Sequence, residues 1–164
     1  DFCLSRGLGD VYKRQVIKPY LIVHDCVGTD IDEIMDYAEL NKPDVIFIDQ
    51  LDKIKVAGSY DRGDERLKAL YVQAREICKK ANCLVWAISQ ASYNGENRQL
   101  ITYAMLDNSR TGKAGEADFI IGIGKPSEVD TDGTRILNVS KNKVNGWHGY
   151  VTCRAEFLIG RFYP

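Results

Sequence analysis

Pro43-Asp44-Val45-Ile46-Phe47-Ile48-Asp49-Gln50 is the stretch on which the fold turns. Four consecutive apolar residues, Val45 to Ile48, run straight into an acid and an amide. An unbroken β-branched and aromatic run of this length suits a strand buried on both faces, as in a parallel sheet. A carboxylate at the carboxyl end of such a strand stands where open α/β sheets bind ligands. In nucleotide hydrolases a carboxylate so placed holds Mg²⁺ against the phosphates. Asp49 is therefore the first candidate site residue.

Upstream, Tyr20 to His24 reads as a short apolar strand. Thr29 and Asp32 predict a capping box, followed by Ile31, Ile34, Met35 and Ala38 at helical spacing. Asn41 to Pro43 stops that helix. Downstream, Lys53 to Gly63 is a polar loop. Leu67, Leu70, Tyr71, Ala74, Ile77, Cys78 and Ala81 then share one face of the clearest helix in the chain. Leu84 to Ser89 is a second buried strand, ending in Ser89-Gln90. A long polar stretch, 91–117, leads to the apolar strand Phe119 to Ile123. Arg135 to Ser140 and Gly149 to Phe157 read as two strands joined through Asn145-Gly146, a strong hairpin signal. Strands alternating with helices, then a β-rich end, predict a single α/β domain with a mostly parallel sheet, flanking helices and a C-terminal β-hairpin.

The polar strand ends carry the candidate chemistry. Asp49 ends one strand, and Gln90 ends the strand that follows after one helix. In a parallel βαβ unit both point from the same sheet edge. A carboxylate holds metal-bound water, and an amide, with a donor and an acceptor, contacts a terminal phosphate. Residues 106–115 are small and locally basic, and Arg110 and Lys113 suit backbone phosphates, aided by amides around Gly112. The alternative for this segment is a solvated surface loop. Lys141 and Lys143 lie two apart and so face one side of a strand. They are either solubilising hairpin lysines or cations for a nucleotide on a neighbouring subunit.

Composition narrows the classes. The chain has 164 residues, 45% hydrophobic and 27% charged, enough for one core. A net charge of −1 excludes an all-round basic surface, so any nucleic-acid contact is a local patch or is assembled from several copies. No apolar run approaches the roughly 18 residues of a membrane span. Five scattered cysteines without a C-x-x-C pair, and two histidines, argue against zinc and fit reduced thiols in a cytosol-like compartment. Cys78 and Cys83 are expected in the core. Residues 1–15 show neither periodicity nor a cap and resemble a non-native leader found on unrelated reading frames. Native sequence is expected from Val16, as a chain truncated at its N-terminus.

The order Val45 to Gln50, a long helix, Val85-Trp86-Ala87-Ile88-Ser89-Gln90, then Asp107 through Thr111-Gly112 to Ile121, then Ser140-Lys141-Asn142-Lys143-Val144-Asn145-Gly146 resembles the carboxyl-terminal half of a RecA-like motor. The family is that of the DnaB-type and phage replicative hexameric helicases, and the resemblance covers residues 20–160. It implies a partial RecA-like, P-loop NTPase domain over 16–164. It also implies an ATP-dependent DNA helicase of bacterial or phage origin, working in the cytoplasm. Asp49 would be the Walker B acid, holding Mg²⁺ through water, and Gln90 the phosphate sensor, with Asp49, Gln50 and Gln90 forming the ATP-contacting edge. Arg110, Thr111, Gly112 and Lys113 would face single-stranded DNA in the channel of a homohexameric ring. Lys141 and Lys143 would be the basic finger acting in trans. A primase or a helicase loader would be a partner.

Two departures qualify this. The family usually has Arg where this chain has Lys143, and lysine keeps the charge without the planar fork. No G-x-x-x-x-G-K-[ST] occurs in the chain, so the 164 residues alone are expected neither to bind ATP tightly nor to hydrolyse it. A RecA- or RadA-like recombinase and a non-catalytic α/β nucleotide-binding or scaffold domain are the alternatives.

Overall fold

The computed structural model describes residues 14–18, 21–106, 110–126 and 133–164. Strand β1 (Arg14–Lys18) pairs antiparallel with β2 (Leu21–His24). Helix α1 (Ile31–Asn41) follows. Its cap is Asp30, whose carboxylate accepts from the Asp32 amide at 2.9 Å, and not the expected Thr29–Asp32 box. Thr29 is held through its backbone, since its carbonyl accepts from the Lys55 amide at 3.1 Å. Strand β3 (Val45–Asp49), helix α2 (Gly63–Ala81) and strand β4 (Leu84–Ile88) make the expected βαβ unit. β3 and β4 pair in parallel, with Asp49 opposite Ile88. α1 and α2 end on residues with left-handed backbone, Lys42 and Asn82.

The core lies on one face of this pair. Ile48, Leu51 and Ile54 pack with Ile31 and Ala38 of α1 and with Leu67, Leu70, Tyr71, Ala74, Ile77 and Ala81 of α2. Partly buried Cys83 packs against them. The expectation that β3 is buried on both faces is corrected. The two helices cover the Ile46 and Ile48 side, while Val45 and Phe47 are exposed, Phe47 at 71%. Phe47 stacks on Trp86 of β4 with centroids 6.3 Å apart.

The rest is antiparallel, which corrects the mostly parallel sheet. β5 (Phe119–Gly124), β6 (Thr134–Asn142), β7 (Tyr150–Glu156) and β8 (Arg161–Tyr163) form one four-stranded sheet in that order. The expected hairpin is β6–β7. Its seven-residue connection, 143–149, is organised by the side-chain carbonyl of Asn142, which accepts from the amides of Val144 and Asn145. The polar stretch after β4 is not a free loop. Asn138 of β6 grips it, accepting from the Ile101 amide and donating to the Ile101 carbonyl, each at 2.9 Å. The grip needs Gly122 and Gly124, because a Cβ at either would strike the carbonyl of Ile101 or Gln99. The stretch ends in helix α3 (Arg110–Glu116). No described helix is long and apolar enough to cross a membrane.

Candidate functional site

The parallel register brings the two expected residues to one edge. Asp49 closes β3, and Gln90 lies two residues beyond its cross-strand partner Ile88. Both side chains are exposed, and neither has a polar partner among the described residues. Gln50 follows, half-buried, its carbonyl accepting from the Lys53 amide at 3.1 Å in the turn Leu51–Lys53. An open carboxylate beside an open amide can take a hydrated cation and an anionic ligand together.

Beneath this edge lies a network that sequence reading missed. Asp52 accepts from the Tyr71 hydroxyl at 2.9 Å, the Ser89 hydroxyl at 2.9 Å and the Lys113 ammonium at 2.6 Å. Arg66 fixes the same turn by donating to the carbonyls of Asp52 and Ile54. Burial pushes the Tyr71 phenol pKa up; the Ser89 hydrogen bond offsets part of this, and the Asp52 charge adds to the rise. The available signal was the spacing of Leu51 and Ile54, which marks a buried turn that carries Asp52 inward.

The segment expected to face DNA is divided. Residues 107–109 lie outside the described residues, as do the side chains of Arg110 and Thr111, whose backbones open α3. Gly112 is buried. Lys113 is 1% exposed and ion-paired with Asp52, so its ammonium faces inward and not toward solvent phosphates. α3 replaces the expected flexible loop because Lys113 and the packing of Ala114 anchor one side of it.

Lys141 and Lys143 do share a side. Lys141 donates to the Ala114 carbonyl, and both lysines reach the Gly115 carbonyl, at 3.5 and 3.3 Å. Cations suit these carbonyls at the end of α3. Lys143 also pairs with Asp118 at 3.1 Å, and Arg75 of α2 meets the same carboxylate oxygen at 3.1 Å. Burial opposes ionisation of Asp118. The Lys143 hydrogen bond and the charges of Arg75, Lys143 and Lys141 outweigh it and hold the carboxyl below its usual range. Burial and then the neighbouring Lys143 ammonium push the Lys141 pKa down. Three cations around Asp118 and Glu116 leave this corner with surplus positive charge.

Oxygen donors suit Mg²⁺, which keeps several waters and takes one or two carboxylates together with ligand phosphates. Asp49 fits that sparse role, and among the described residues no group of three or more His, Cys, Asp or Glu forms a protein cage.

No family model and no curated protein matches the chain. Solved structures do. The ATPase domain of one DnaB-like helicase matches at a TM-score of 0.75 and 20% identity, over 85% of this chain and 53% of that one. A second DnaB-like replicative helicase, solved with attention to its interactions with primase, matches at 0.73 and 20%, over 85% of this chain and 36% of that one. The chain thus shares the fold of helicase ATPase domains and spans about half, or less, of those chains' length.

Proposed function

We propose that this chain supplies the metal-holding and phosphate-sensing edge of an ATP-driven DNA helicase motor that works as a ring. The observation that carries the reading is the β3–β4 register, which sets Asp49 and Gln90 at one carboxyl edge with both side chains unpartnered among the described residues. Fold likeness to two helicase ATPase domains supports it. Asp49 orients the waters of Mg²⁺, which neutralises phosphate charge when bound. Gln90 contacts the terminal phosphate. Lys143, steadied by Asp118 and by the end of α3, is presented toward a nucleotide of the adjacent subunit, with Lys141 filling the carbonyls behind it. Residues 107–112 lie toward single-stranded DNA, with Arg110 as the phosphate contact; Lys113 serves inside. A primase is the natural partner for such a ring.

The phosphate-cradling loop is supplied by sequence outside these 164 residues. The test follows from that division. The purified chain should turn over ATP at background. Completed with a segment carrying the phosphate loop, it should show Mg²⁺-dependent hydrolysis that Gln90→Ala lowers about 100-fold while single-strand binding persists. Full activity of the completed Gln90→Ala protein would remove Gln90 from the site.

A further inference from the structure

Lys113 and Asp52 join four elements at one point: the turn after β3, α2 through Tyr71, the end of β4 through Ser89, and α3. The Lys113 ammonium lies 2.6 Å from Asp52 Oδ2, 3.1 Å from Ser89 Oγ and 5.7 Å from the centre of the Tyr71 ring. Ser89 immediately precedes Gln90, and Asp52 lies three residues beyond Asp49. Stripping water from two charges cancels much of their attraction, so such a pair is a poor source of net stability. Its directional bonds instead restrict where its neighbours can sit. The 3.1 Å Lys113–Ser89 bond fastens the β4 corner to α3, a helix that otherwise rests on α2 and on the Lys141 and Lys143 contacts.

We propose that Asp52 and Lys113 are positioning residues for Gln90, holding the Ser89–Gln90 corner at the phosphate edge and tying that corner to α3. This rests on the reading of Gln90 given above. Displacement of α3, whose first residue follows 107–109, then moves Ser89 and with it the Gln90 amide. The link is contained within one subunit and needs no contact between Lys113 and a ligand.

The test separates positioning from stability. The double variant Asp52→Asn/Lys113→Met keeps side-chain volume, leaves no unpaired charge and keeps partners for Tyr71 and Ser89, while removing the tie between the corner and α3. In the 164-residue chain, hydrogen exchange of the amides at 89–91 and 110–116 should speed about tenfold with the β6–β7 ladder unchanged. Unchanged exchange at 89–91, or acceleration spread evenly over the chain, overturns the proposal. If this variant does not fold, Asp52→Asn/Lys113→Gln carries the same two readings. In the completed ring, kcat should fall about tenfold with nucleotide affinity retained, since small misplacement of a contact group acts on the reacting geometry. On a Gln90→Ala background the double variant should add nothing, and an additive loss overturns the proposal. A ring that is active and indifferent to Gln90→Ala refutes the assignment of Gln90, while the exchange result still decides whether the pair positions the corner.

Discussion

Two aspartates three residues apart sit in opposite circumstances. Asp49 ends β3 exposed and without a polar partner among the described residues, whereas Asp52 accepts from a phenol, a hydroxyl and a buried ammonium. A saturated carboxylate has no lone pair to spare for a metal's waters, and an open one contributes little to the fold. The same contrast separates the lysines: Lys113 is enclosed, while Lys143 is 43% exposed at its side chain. Reactive potential in this molecule lies with groups the fold leaves unsatisfied, and architecture with those it satisfies.

The largest effect that would break the contrast is thermal. Asp52→Ala strands the Lys113 charge inside the protein and should cost about 3–5 kcal/mol, lowering Tm by roughly 10 °C. Asp49→Ala should shift stability by no more than about 0.5 kcal/mol. Calorimetry on the two variants checks this, and equal melting points would erase the distinction. In the completed ring, Asp49→Ala should instead reduce hydrolysis about 100-fold, because a group fixing the metal is lost. Near-normal turnover would make Asp49 a plain strand end.

A smaller effect sharpens the lysine contrast. Lys143→Ala should cost under about 1 kcal/mol of stability, as exposed pairs do. In assembled rings it should leave nucleotide binding intact and lower turnover about tenfold, at the low end for a charge supplied in trans. Mixing it with Asp49→Ala subunits should restore part of the activity, and Lys143→Arg should retain it. Parental rates in verified rings for Lys143→Ala would make it a surface lysine.

The smallest effect is a pH dependence. The Asp118 pKa is depressed in the folded protein, so its contribution is present above the unfolded value near 3.9. It is lost as pH falls through the lower folded value. The melting temperature of the parent should therefore drop more steeply below about pH 4 than that of Asp118→Asn. Parallel curves would show that Lys143 and Arg75 do not steady this carboxylate.

Local pattern carried β3, α2 and β4, and hence the edge with Asp49 and Gln90, because a βαβ unit is written in contiguous periodicity. It did not carry strand direction beyond that unit. Phe119 to Ile123 is equally apolar for a parallel or an antiparallel neighbour, and the choice lies in pairing with β6. Asp52 was invisible because its partners are 19, 37 and 61 residues away. Lys113 looked solvated because Gly112 and Gly115 beside it suggest a loop, and only the distant Asp52 draws it inward.

The Phe47–Trp86 stack on the uncovered face of β3 and β4 makes the molecule its own optical gauge. The chain has only two tryptophans, Trp86 on the parallel pair and Trp147 beyond the end of β6, and both are exposed, at 40% and 56%. Anything that settles over the parallel pair shields the Trp86 indole from water and shifts its emission to the blue, whereas an event at the antiparallel end registers at Trp147. With Trp147→Phe the fluorescence spectrum reports the first surface alone, without any attached dye.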